Sequence, residues 1–161
     1  MRAGYSRPAF HRRSRRSQER RYPDATFTLR ISYGKVFGWM ERGKQVPYRT
    51  TIGGTFARAT GAPPFDLAPA FAAHEKTIDP DVTYDFVTTN DIIGGNSGSP
   101  VIGRAGTVIG AAFDGNIDSL GGNYGYDRTV NRTVVVSTAA IDLALRQIYP
   151  APVLLAELTR R

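Results

Sequence analysis

Gly94-Gly95-Asn96-Ser97-Gly98-Ser99-Pro100-Val101 restricts this chain more than any other stretch. It joins an extended run, Tyr84-Asp85-Phe86-Val87-Thr88, to the apolar pair Val101-Ile102. Pro100 and the β-branched residues behind it disfavour a helix, so the loop opens from one strand into another. That argues against the elbow in which a nucleophilic serine sits between a strand and a helix. The glycines permit positive φ and let other groups approach the backbone N–H groups. Ser97 stands at the centre, between residues too small to cover it. A serine nucleophile is presented this way when the surrounding backbone must also bind an oxyanion. Taken alone, the same composition is an ordinary turn.

The residues around the loop read as mainly β. Thr26 to Tyr33 alternates, with Phe27, Leu29 and Ile31 on one face, and predicts a half-buried strand. Gly34-Lys35 predicts a turn into Val36 to Met40, and Glu41 to Gln45 a solvated loop. Ile52 to Thr60 is a helix candidate closed by Gly61 and Pro63-Pro64, and Ala70 to Lys76 a short helix carrying His74. Val82 to Thr88 reads as a strand. Val101-Ile102 and Val108 to Phe113 read as a hairpin across Gly103 to Gly106. Asp118 to Tyr126 reads as an irregular loop, and Val130 to Ser137 as a strand. Thr138 can cap a helix from Ala139 to Tyr149, with Ile141, Leu145 and Ile148 as its stripe; Pro150 ends it, and Val153 to Leu158 predicts a helical tail. Strands followed by a late helix argue for an antiparallel barrel or sandwich.

Charge divides the chain in two. Residues 1–21 hold eight arginines and one acid, Glu19, which accounts for the whole net charge of +7. Residues 22–161 carry 13 basic and 13 acidic side chains and are neutral. The arm has almost no aliphatic residues to offset ordering entropy, so it is expected to be disordered. It is either a phosphate-binding arm or a non-native start, and the second is preferred. No aromatic interleaving supports nucleic-acid recognition, so a nucleic-acid partner is not expected. There are no cysteines, and only two histidines, His11 and His74. Disulfides, thiolate sites and a histidine metal centre are not expected, and neither is any metal or cofactor. No apolar run is long enough to span a membrane, and no secretory signal is visible.

The serine loop followed by a hairpin resembles the nucleophile loop of chymotrypsin-like serine peptidases. Thr89-Asn90-Asp91-Ile92-Ile93-Gly94-Gly95-Asn96-Ser97-Gly98-Ser99-Pro100-Val101, Phe113-Asp114-Gly115-Asn116 and Asn131-Arg132 resemble more closely the C-terminal part of the bacterial S46 serine dipeptidyl-peptidases, the dipeptidyl-peptidase 7/11 group. Tyr22 to Arg30 and the tail helix fit the same family, so the resemblance covers residues 22–158, with the arm outside it. It implies a chymotrypsin-like second β-barrel of an incomplete double barrel, with a C-terminal helix, over residues 22–161. It implies Ser97 as nucleophile and the N–H groups of Gly95 and Ser97 as the oxyanion hole, one such donor being worth roughly 3–4 kcal/mol. It implies that Asp114 holds the α-ammonium of a peptide substrate, with Phe113 beside it. Gly115 takes the position where arginine goes with acidic P1 residues. Glycine implies an uncharged S1 pocket and a hydrophobic P1. Asn96 stands where chymotrypsin has the aspartate that pairs with a freed N-terminus, so activation by that ion pair is not expected.

Family members place the triad histidine and aspartate well upstream of the serine, and neither His11 nor His74 sits in that motif. The chain is therefore expected to be a truncated portion that holds the nucleophile without its base. Losing the base costs on the order of 10⁶ in kcat, about 8 kcal/mol. The alternative to an enzyme is an inactive fragment whose basic arm is at most an interaction element. The resemblance also implies export to the periplasm or cell surface, and homodimeric full-length relatives.

Overall fold

Three strands rich in β-branched and small residues form the centre of the molecule. The computed structural model describes residues 29–122 and 124–160. In chain order the elements are β1 (Trp39–Glu41), β2 (Lys44–Val46), β3 (Arg49–Thr51), α1 (Ile52–Arg58), α2 (Pro69–Ala72), β4 (Thr83–Thr88), β5 (Pro100–Ile102), β6 (Val108–Gly115), β7 (Thr133–Ser137), α3 (Thr138–Leu143) and α4 (Pro152–Leu158). A 3₁₀ turn covers Ile117–Gly121, and a π-helical turn, Ala144–Ile148, prolongs α3. Five strands make one antiparallel sheet in the order β3-β4-β7-β6-β5, and β1 and β2 form a separate hairpin. The class is mainly β with a C-terminal helix, as the sequence predicts.

Packing follows from the register. Phe86, Val135 and Ala112 are cross-strand neighbours on β4, β7 and β6, and all three are buried. This row is the buried centre of the five-stranded sheet. A second cluster, Ile52, Ile78, Ala140, Leu143 and Ile148, joins the helices to the sheet through Val82, Tyr84 and Val136. Ser137 links the two layers. Its hydroxyl donates to the Thr83 carbonyl and accepts the Ala140 N–H at 3.0 Å, so the last residue of β7 is also the N-cap of α3. The cap is Ser137 rather than Thr138, because it is Ser137 that has the extended backbone an N-cap requires. Tyr149 N–H reaches back to Ala144 at 2.7 Å, the π spacing, and closes the helix ahead of Pro150.

The N-terminal expectation fails. Thr26 to Thr28 lie outside the described residues. Residues 29–33 form no strand, and Leu29, Ile31 and Tyr33 are 93%, 85% and 86% exposed. Gly34 is not a hairpin turn. A Cβ there would sit 2.6 Å from the Asn90 nitrogen, so this glycine lets residues 32–37 lie close along the end of β4. Thr89 N–H donates to Lys35 at 2.9 Å and Phe37 N–H to Val87 at 3.2 Å. The hairpin is one element later, β1–β2, across Arg42 and Gly43 with φ of +49° and +77°. Two positive φ values in sequence make the twist-matched two-residue turn. Arginine carries no signal for it, which is why this stretch reads as a solvated loop. Helices α1 and α2 are shorter than predicted, α1 ending at Arg58 and α2 at Ala72.

A cleft of about 440 Å³ opens between α1, the 64–67 connector and β4, lined in part by Arg58, Phe65, Tyr84 and Asp85. Asp85 is half-buried, and its burial pushes the carboxyl up to about 6. The charged form is thus disfavoured by folding. The fold has its full advantage below the unfolded value of 3.8 and loses it as pH rises through 6. Asp85→Asn is expected to leave the melting temperature unchanged at pH 4. At pH 7.5 it should raise it by about 2–4 °C, roughly 1 kcal/mol after discounting for solvent screening. Circular-dichroism melts at the two pH values check this; parallel curves for the two proteins would refute it.

Candidate active site

The loop between β4 and β5 is held by Asn96. Its N–H donates to the Ile93 carbonyl at 3.2 Å, its Oδ1 accepts the Ile93 N–H at 3.0 Å, and its carbonyl accepts the Ser99 N–H at 3.0 Å. Gly95 and Gly98 have φ of +89° and +87°, where an L side chain is strained. The loop then docks on β6. Gly98 N–H donates to the Ala112 carbonyl at 2.7 Å, and Ala112 N–H returns to the Ser99 carbonyl at 2.9 Å.

One residue further along β6 the ladder slips. Ala112 pairs with Val135, but Val134 pairs with Asp114, so Phe113 is an extra residue in a β-bulge. Its carbonyl accepts the Ser97 hydroxyl at 3.0 Å. Ser97 is exposed. Among the described residues, the N–H groups of Asn96 and Gly98 are spent on protein acceptors, and those of Gly95 and Ser97 are not. The exposed hydroxyl and the two free donors therefore share one three-residue stretch, Gly95 to Ser97.

Asp114 and Gly115 follow on the same strand end. Asp114 is exposed, and its Oδ1 accepts the Gly115 N–H at 2.7 Å. Phe113 is 44% exposed beside them. Of the predicted site residues, the fold brings Ser97 into contact with Phe113 and places Asp114 and Gly115 directly after it. His74 is elsewhere: its Nδ1 bonds the Ala70 carbonyl at 2.7 Å on α2. His11 lies outside the described residues. Among those residues no group of three or more His, Cys, Asp or Glu could hold a metal ion.

Three further residues shape the site. Asn116 uses every polar valence of its amide. Nδ2 donates to the Val130 carbonyl at 2.8 Å and to Asp118 at 3.3 Å, and Oδ1 accepts the Ser119 hydroxyl at 2.7 Å and the Arg132 N–H at 2.9 Å. Ser119 also accepts the Arg132 N–H at 3.1 Å. Arg132 itself is 2% exposed, and among the described residues its guanidinium makes no salt bridge. It donates instead to the carbonyls of Phe37 (2.9 Å), Gly38 (2.6 Å), Arg128 (3.1 Å), Thr129 (3.2 Å) and Asn131 (2.7 Å). Aligned carbonyl dipoles take the place of water around a buried charge. Asn116 and Arg132 are visible in the sequence as parts of motifs, but nothing there marks their partners.

The structure is thus a mainly β sheet with an exposed, glycine-flanked serine in the loop between β4 and β5. The chain belongs to the peptidase S46 family, whose family model matches residues 3–160. That span takes in most of the basic arm. The chain is 39% identical over 130 residues to a dipeptidyl-peptidase 7 of Phocaeicola vulgatus, covering 74% of this chain and 18% of the relative. It is 31% identical over 169 residues to an Asp/Glu-specific dipeptidyl-peptidase of Shewanella putrefaciens, covering 85% and 23%. The crystal structure of Porphyromonas endodontalis DPP11 in complex with the dipeptide Arg-Glu matches with a TM-score of 0.74. The match covers 83% of this chain and 21% of that one at 22% identity, which shows a shared fold. The chain thus spans about a fifth of the length of these relatives. Since one relative is named for Asp/Glu specificity and another is not, membership alone assigns no P1 class.

Arg132→Met should leave five carbonyls without their donor and cost roughly 3 kcal/mol or more, a melting temperature lower by about 6–12 °C. Arg132→Lys should recover only part, because an ammonium has three donors and no planar fork. Scanning calorimetry checks both, and a methionine variant within about 2 °C of the parent would rule the cage out as a structural element.

Proposed function

We propose that this chain is the nucleophile-bearing part of a serine-type dipeptidyl aminopeptidase. Ser97 attacks the scissile carbonyl, and the N–H groups of Gly95 and Ser97 take the developing oxyanion. Asp114 holds the substrate's α-ammonium, which sets the cut two residues from the N-terminus. Gly115, with Phe113 beside it, leaves an uncharged S1 pocket that prefers aliphatic or aromatic P1. The observation that carries the reading is the pattern of backbone donors: the two N–H groups assigned to the oxyanion are free, while those of Asn96 and Gly98 are spent. The exposed Asp114 carboxylate, directly past the bulge, supports the amine site. Peptides are the substrates, and residence in the periplasm or at the cell surface belongs to the same reading.

A second reading, a chain without catalysis of its own, is favoured by one observation. Ser97 Oγ donates to a backbone carbonyl, and among the described residues no histidine or carboxylate contacts it. A hydroxyl at its ordinary pKa needs an adjacent base. The proton acceptor must come from outside the described residues, and turnover without it is expected to be negligible.

Binding separates the halves of the claim. A dipeptide with a free α-ammonium and a C-terminal leucine should shift the amide resonances of Gly95–Ser97 and Phe113–Gly115. Acetylating its amine, or Asp114→Asn, should weaken the binding about tenfold or more. A dipeptide ending in glutamate should bind more weakly than the leucine one. A spectrum indifferent to all three ligands would end the proposal. In a separate assay the chain should not release fluorophore from a dipeptidyl amide above background. Release abolished by Ser97→Ala would show instead that the base is within reach.

A further inference from the structure

We propose that Ser119 is a specificity-determining residue. It fills the space beside Gly115, so positions 115 and 119 form one matched wall of the P1 pocket and can change only together. The inference rests on the reading of Gly115 as an S1 residue. An ideal Cβ at Gly115 would lie 2.7 Å from the Cβ of Ser119 and 3.3 Å from its Oγ. The nearer atom is a Cβ, whose place is set by backbone, so no rotamer change relieves the overlap.

That backbone is held on every side. The Ser119 N–H donates to the Asn116 carbonyl at 2.8 Å, and the Ser119 carbonyl accepts the Gly122 N–H at 2.8 Å. Its hydroxyl lies between Asn116 Oδ1 and the Arg132 backbone. Asn116 is fixed in turn to Val130 and Arg132, and Arg132 is caged by carbonyls of Phe37 and Gly38 and of the residues just before it, Arg128, Thr129 and Asn131. Moving Ser119 away from residue 115 therefore means moving the buried Arg132. An acidic P1 side chain needs a cation in this wall. Arginine at 115 alone cannot be seated there; it becomes admissible when residue 119 gives up its Cβ.

Four full-length chains test this: the parent, Gly115→Arg, Ser119→Gly and the double variant, with Gly115→Ala in both backgrounds as the milder probe. Gly115→Ala should lower the melting temperature by about 5 °C where residue 119 is serine and by under about 2 °C where it is glycine. A dipeptide ending in glutamate should bind the double variant at least about tenfold more tightly than the parent, and Gly115→Arg alone no better than the parent. Equal thermal losses in both backgrounds overturn the inference. So does gain of glutamyl binding by Gly115→Arg alone while the parent binds the leucine dipeptide. If the parent binds no dipeptide at all, it is the S1 reading that has failed, and the inference falls with it.

Discussion

The site depends on a charge that has been taken out of water and, among the described residues, is met by backbone carbonyls rather than by a carboxylate. Transferring a guanidinium into a protein interior is expensive unless each of its donors finds an acceptor. Around Arg132 the acceptors are main-chain carbonyls, drawn from Phe37 and Gly38 on one side and from Arg128, Thr129 and Asn131 on the other. Satisfying the cation therefore requires two segments nearly a hundred residues apart to present their backbones at fixed positions. The strand end that carries Asp114 and Gly115 inherits this order. Arg132 N–H bonds Asn116, and the Asn116 N–H bonds the Arg132 carbonyl at 2.9 Å.

The serine loop is ordered by a different economy. It has almost no side chains to bury, so its conformation is written in which amides are satisfied and which are not. Asn96 spends its side chain and both backbone groups on the loop. The two positive-φ glycines then turn the intervening groups without strain. A rigid frame with unspent donors is what preorganised electrostatic stabilisation requires, because no reorganisation remains to be done when charge develops. That frame is tied by backbone hydrogen bonds to Ala112, one end of the buried row Phe86, Val135 and Ala112.

The parts legible in the sequence are those whose cause is local. Alternation and β-branching mark β4, β6 and β7, Pro100 marks the start of β5, and the stripe with Pro150 behind it marks α3 with its π-helical turn. The loop itself is legible because glycine and serine advertise their backbone freedom. What stayed hidden has non-local causes. Gly34 carries the same letter whether it turns a chain or lets one pass close to Asn90. The Arg132 cage is invisible because carbonyl acceptors have no residue identity. The bulge at Phe113 leaves the alternation of β6 looking regular up to the residue where it slips.

That slip has a consequence in parity. Side chains on a strand alternate faces with a period of two, and one surplus residue reverses the phase of everything after it. The stretch of β6 up to Ala112 pairs with Val135 to Ser137 of β7. The stretch from Asp114 on is out of step with it by one residue. Phe113 therefore matters first as a position and only second as a side chain. Exchanging it for another residue keeps the phase. Losing it would mend the ladder and leave Asp114 opposite Val134 and Gly115 opposite Thr133 as they are now, but it would remove the carbonyl that accepts the Ser97 hydroxyl.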